Sequence, residues 1–149
     1  MPVLIRELLK PGCIALSLEG KTDEEAILGV VALLEGKRGV LNYEELSRDI
    51  LTREHLSPTC IGNSMAIPHA RTDHVESIVM AVGRCEKPID FDGEAVRLVF
   101  AIGIPRSLPG KYLALIGALG RLAHNETILE DLMNAASPKQ FLLALPSRI

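Results

Sequence analysis

Apolar positions along this chain follow two patterns, helical spacing and continuous strand-like runs, and the two interleave from end to end. Residues 5–9 predict a short helical turn ended by Pro11-Gly12, and residues 13–18 a strand followed by the turn Glu19-Gly20-Lys21. Thr22 with Glu25 forms a capping box for a helix to about residue 35, with Ala26, Ile27, Val30, Val31 and Leu34 facing inward. Gly36 stops it beside Lys37-Arg38, which suit a helix C-terminus. Asn42 with Glu45 repeats the start signal for a helix reaching Arg53 or His55, with Leu46, Ile50 and Leu51 inward. A polar loop over residues 57–64 leads to a short strand over 65–67, because Pro68 has no N–H for a ladder.

Strands over 77–83 and 96–104 follow, the second nearly all apolar and therefore central, with a loop over 88–93 between them. A loop over 105–110 precedes a helix over 111–123, in which Gly117 and Gly120 permit close packing. Asn125 caps a helix through 133, and Ser137-Pro138 opens a last one through 145. The result is an α/β (α+β) sandwich without repeats, low-complexity tracts or linkers.

Composition narrows the functional classes. At 149 residues the expectation is one domain over 1–149, able to bury a core without disulfides or metal. With 48% apolar residues and no Trp, that core should be aliphatic. Sixteen basic against nineteen acidic residues, with no dense Lys/Arg stripe, argue against nucleic-acid binding. Cys13, Cys60 and Cys85 form no Cys-x-x-Cys pair and fit core or near-core thiols in a reducing compartment. The N-terminal residues lack a signal peptide's pattern, and no apolar run approaches 18 residues. The expectation is a cytoplasmic chain without direct membrane insertion.

Candidate chemistry centres on Ser64-Met65-Ala66-Ile67-Pro68-His69-Ala70-Arg71, a histidine held in a rigid frame behind a short strand and a proline. One imidazole nitrogen could be fixed by a backbone carbonyl and the other left to accept and pass on a phosphoryl group, which needs mainly positioning and charge neutralisation. On these residues alone, a surface histidine that merely ends a strand is the commoner case. Arg53 offers a fork for two phosphoryl oxygens, and Thr59, Gly62, Asn63 and Ser64 offer further donors. Arg71 can join Arg53 around an acidic ligand, while Asp73 is read as local packing. His69, Asp73, His74 and Cys60 match no zinc spacing, and neither Cys60 nor Cys85 has a nucleophile signature. No P-loop or dinucleotide fingerprint occurs, so no cofactor is expected. His55 and His124 are read as scaffolding.

The order of Arg53-Glu54, Ser57-Pro58-Thr59, Ile61-Gly62, Ala66-Ile67-Pro68-His69-Ala70, Pro88-Ile89-Asp90-Phe91 and residues 96–100 resembles the enzyme IIA domains of the bacterial phosphoenolpyruvate-dependent phosphotransferase system, fructose/mannitol class, including its stand-alone nitrogen-regulatory members. The resemblance covers nearly the whole chain. It implies a mixed, roughly five-stranded sheet flanked by helices on both sides. His69 would take a phosphoryl group from a histidine-containing phosphocarrier protein, with Arg53 steadying the phosphohistidine and Thr59 nearby. Many members carry a second histidine where this chain has Tyr112, which can donate a hydrogen bond but supplies no imidazolium charge. The expected setting is nitrogen/carbon or potassium-linked regulation, with a potassium transporter or sensor kinase as target. The alternatives are sugar transport through a IIB domain and a phosphorylation-independent binding module. A homodimer is left open.

Overall fold

The computed structural model describes residues 5–147, and these form one mixed sheet with helices on both faces. In chain order the elements are α1 (Ile5–Leu8), β1 (Leu9–Leu18), α2 (Asp23–Val31) with a 3-10 turn at Ala32–Leu34, and α3 (Tyr43–Leu56). The strands β2 (Met65–Ala66), β3 (His69–Thr72), β4 (Val79–Phe91) and β5 (Glu94–Pro105) follow, then α4 (Pro109–Ala123), α5 (Glu126–Asn134) and α6 (Pro138–Ala144). The helix starts fall where the capping residues put them. Thr22 Oγ1 accepts the Glu25 N–H and Asn42 Oδ1 the Glu45 N–H, both at 3.1 Å. Asn125 and Ser137 cap α5 and α6 in the same way.

Strand order is β1-β4-β5, with β2 and β3 laid end to end along the far side of β5. The β4–β5 pair is antiparallel and every other pairing is parallel. β5 is central, as its apolar run predicts. His69, Ile102, Met80 and Leu9 form one row across the sheet. β2 also has an outer neighbour. Ile61 N–H donates to Met65 O at 3.0 Å and Ile67 N–H to Thr59 O at 3.0 Å, so residues 59–61 run back along 65–67. The turn between them, Gly62-Asn63-Ser64, has φ of +85°, +53° and +66°.

Two sequence expectations are corrected. Pro11-Gly12 does not end an element: β1 begins at Leu9 and runs through them, because β1 is an edge strand whose pairing slips between Leu9 and Ile14. Residues 88–93 are not a loop either. β4 continues to Phe91 after an irregularity at 84–89, and Asp92-Gly93 alone make the hairpin turn, with φ of +53° and +92°. That two-residue left-handed turn is what Asp-Gly favours.

Side-chain alternation assigns the layers. Gly83 and Gly103 face α2 and α3, where a Cβ on Gly83 would meet Val30 and Leu18. Arg84 therefore points to the other face, where it donates to the carbonyls of Leu132, Met133 and Ala135 at the end of α5. Those carbonyls lack partners within the helix, so this cation both satisfies them and complements the helix dipole. The core between the layers is aliphatic, with Phe91, Phe100 and Phe141 its buried aromatic rings.

Gly103 is packed too tightly for a side chain: a Cβ there would lie 2.9 Å from Leu46 Cδ1 and 3.1 Å from methyls of Val75 and Val79. Gly103→Ala should therefore destabilise the fold by about 1–3 kcal/mol, read as a lower urea midpoint with an unchanged slope.

Candidate phosphoryl-acceptor site

β3 begins at His69, so the imidazole stands at the start of one strand and not at the end of the strand before it. Ile67 and Pro68 separate β2 from β3, and they keep the histidine in register with Ile102 through the bond from Ile102 N–H to Pro68 O at 3.1 Å. His69 is only 4% exposed. Its Nδ1 lies 2.6 Å from the carbonyl oxygen of Ile67. A carbonyl can only accept, so the proton belongs on Nδ1 and the lone pair on Nε2. Tyr112, from the first turns of α4, places its hydroxyl 3.4 Å from Nε2 as the matching donor, with the rings 5.6 Å apart.

Nε2 faces a cleft of about 280 Å³ lined by Asp49, Thr52, Arg53 and Leu56 of α3, His69, Ala70 and Arg71 of β3, and Arg106 and Tyr112. Three arginines thus meet one aspartate around a neutral imidazole. Arg53 Nη1 donates to Ser57 O at 2.9 Å, which anchors the guanidinium at the end of α3. Arg71 lies two residues beyond His69 and so on the same face of β3. Its guanidinium carbon is 5.5 Å from the Tyr112 ring centre, and Nη2 donates to Arg106 O at 3.3 Å. Asp49 accepts the Thr72 hydroxyl at 2.7 Å, tying α3 to β3 beneath the cleft.

Desolvation holds the His69 imidazole below the usual histidine pKa, and the nearby Arg53 cation acts in the same direction. The Ile67 hydrogen bond opposes them and loses. At neutral pH the nucleophilic form therefore prevails.

The structure brings His69, Arg53, Arg71 and Tyr112 together. It does not bring Thr59 to the cleft: the Thr59 hydroxyl and N–H both go to Glu54 Oε1, at 2.7 and 3.0 Å. Asn63 donates to Ala123 O at the far end of α4, eleven residues and roughly 16 Å from Tyr112 along the helix axis. Asp73 pairs with Arg106 at 3.6 Å on the surface, the local role expected of it. His55 faces Glu24 at 3.8 Å, and His124 Nδ1 lies 2.8 Å from Gly120 O at the end of α4. Burial pushes all three thiols up, Cys60 to about 11, so they remain protonated.

Sequence reasoning missed Arg106 and Asp49, and it gave Glu54 no role beyond the Arg53-Glu54 motif. Asp49 stands one helical turn before Arg53, which places both on one face of α3. Arg106 follows the end of β5, the strand that pairs with β3. Glu54 is an acid in the last turn of a helix, where the dipole disfavours it.

A family model described as "Phosphoenolpyruvate-dependent sugar phosphotransferase system, EIIA 2" matches residues 7–147. The chain is 36% identical over 137 residues to the PTS system fructose-specific EIIABC component of Bacillus subtilis, an alignment covering 89% of this chain and 21% of that protein. It is 29% identical over 147 residues to the nitrogen regulatory protein of Bradyrhizobium diazoefficiens, covering 95% of each. The chain thus spans about a fifth of the length of the EIIABC components that it matches. Among solved structures, the nitrogen regulatory protein IIA-Ntr from Neisseria meningitidis superposes with a TM-score of 0.86 at 28% identity, over 97% of this chain and 100% of that one. The IIA mannitol structure from Escherichia coli gives a TM-score of 0.80 at 26% identity, over 92% and 98%.

The depressed pKa has a fixed sign in linkage. The unfolded state binds the His69 proton more readily, so stability is full above the unfolded pKa of about 6.5 and falls as pH drops through the folded value. NMR titration should place the His69 midpoint below about 6.5. His69→Gln should remove part of the acid-side loss of stability measured by urea unfolding at several pH values.

Proposed function

Because the chain belongs to the EIIA 2 family of the phosphoenolpyruvate-dependent sugar phosphotransferase system, we propose that His69 Nε2 is its phosphoryl acceptor and a histidine-containing phosphocarrier protein its donor. The observation that carries this reading is an Nε2 lone pair facing an arginine-lined cleft, with the proton held on the opposite nitrogen. In the transfer, the Nε2 lone pair attacks phosphorus while the donor's P–N bond breaks and its electron pair returns to the donor imidazole. Nδ1 keeps its proton, so the accepting ring develops positive charge, which the Ile67 carbonyl stabilises. Arg53, assisted by Arg71, neutralises the phosphoryl oxygens. Tyr112 turns its O–H from Nε2 to a phosphoryl oxygen as the group arrives. The transfer calls on no cofactor.

The carrier, with residues 1–149 as one domain, then acts in the cytoplasm in nitrogen/carbon or potassium-linked regulation. The likeness to the IIA-Ntr structure supports that setting. The 36% identity to a fructose-specific component supports the second reading, in which the group passes to a IIB domain. Among the described residues no helix is long and apolar enough to cross a membrane.

Incubation with phosphoenolpyruvate, enzyme I and the phosphocarrier should add one phosphate, mapped to His69 by mass spectrometry under non-acidic conditions and absent from His69→Gln. Arg53→Gln should slow acceptance about tenfold to a hundredfold, the worth of one or two charge-assisted hydrogen bonds. Tyr112→Phe should slow it less than about tenfold, because its contact is long and uncharged. No modification, with donors active on another EIIA protein, would overturn the carrier reading in favour of a phosphorylation-independent module. Transfer onward to a IIB domain would select the transport reading.

A further inference from the structure

Glu54 lies beside Arg53 on α3 but faces the other way, into the protein, and is 6% exposed. One carboxylate oxygen, Oε1, accepts both the N–H and the O–H of Thr59, while Oε2 is buried with no hydrogen-bond partner among the described residues. Burial pushes this carboxyl above the usual range, with the two Thr59 hydrogen bonds opposing. A buried carboxylate with an orphaned oxygen is costly, and an apolar pair would avoid the cost. Such a cost calls for a compensating role.

The hydrogen bonds that leave Glu54 lead to the imidazole. Glu54 Oε1 fixes Thr59, and the Thr59 carbonyl accepts the Ile67 N–H at 3.0 Å. The Ile67 carbonyl in turn accepts the His69 Nδ1–H at 2.6 Å. Ile67, whose carbonyl selects the tautomer, is thus held at its N–H by a residue that Glu54 locks in place. The Pro68 nitrogen completes the carbonyl's own peptide unit and has no N–H with which to hold it. We propose that Glu54 is a positioning residue: through Thr59 and Ile67 it fixes the Nδ1–H tautomer and the ring orientation of His69, and with them the placement of Nε2 against Arg53.

This rests on the carrier reading only for its kinetic consequence, because the tautomer can be observed in the unphosphorylated protein. Two-bond 15N–1H correlation spectra of 15N-labelled protein report which ring nitrogen carries the proton. Wild type and Glu54→Gln should both show His69 as the Nδ1–H form, since a glutamine oxygen can accept the same two Thr59 donors. Glu54→Ala should shift His69 toward a tautomer mixture and cut phosphoryl acceptance about tenfold or more. Thr59→Val, which keeps the backbone N–H and loses only the hydroxyl, should show the same change to a smaller degree. It also supplies the measurement should Glu54→Ala fail to fold.

A folded Glu54→Ala with the wild-type His69 spectrum would overturn the proposal, and so would an unfolded Glu54→Ala accompanied by a Thr59→Val spectrum identical to wild type. Loss of the Nδ1–H form in Glu54→Gln as complete as in Glu54→Ala would also overturn it, because the acceptor geometry would then not be what matters. Failure of wild type to accept phosphate would sink the carrier reading while leaving the tautomer result to decide this one.

Discussion

The hydrogen bond from His69 Nδ1 to the Ile67 carbonyl is the constraint around which the site is organised. A histidine acts as a nucleophile only through a nitrogen that lacks a proton, and the choice between two nearly equal nitrogens is made by what the other one binds. Here an acceptor two residues back makes that choice. The acceptor is available because Ile67 turns its N–H away from β5 to Thr59 O, while the Thr59 N–H goes to Glu54 and not back to the Ile67 carbonyl.

The position of β3 at the side of the sheet is equally necessary. His69 and Arg71 point to the α4 side, while Thr72 on the alternate face bonds Asp49 of α3. A strand in the middle of the sheet would see one helical layer or the other on each face. Lying at the side, β3 lets α3 and α4 both reach its margin, so Arg53 and Tyr112 from opposite layers line one cleft with His69. The neutral, desolvated imidazole and the surrounding cations follow from that convergence.

Local and distant determinants differ sharply in how well the sequence reveals them. Thr22, Asn42, Asn125 and Ser137 announce helix starts because a cap needs only its own next three residues. Pro11-Gly12 and Pro88 mislead because proline is tolerated at an edge or an irregularity, and those are properties of a strand's partners. His69, Arg53 and Tyr112 are legible from motif and resemblance. Arg106 and Asp49 belong to the cleft only through the pairing of β3 with β5 and the packing of α3 on β3, which no local pattern encodes. Thr59 is legible as a motif residue, yet its hydroxyl turns to Glu54, and a sequence gives no bearing for a hydroxyl.

Charge then determines what a phosphoryl group would change. Arg53, Arg71 and Arg106 against Asp49 leave the cleft positive, which would favour approach of a phosphorylated donor at low ionic strength. A bound dianion would largely cancel that excess, so a donor and a target judge the same surface by opposite electrostatics. Arg106 already shares its charge with Asp73 at the rim and Arg71 leans on the Tyr112 ring. Leu56, which lines the cleft, and Leu113, next to Tyr112, are exposed. They would give a partner apolar area that does not depend on phosphorylation, while the arginines would supply the part that does. A phosphorylation-sensitive interaction needs such a split, because a ligand shifts an equilibrium only by the difference between its affinities for the two forms.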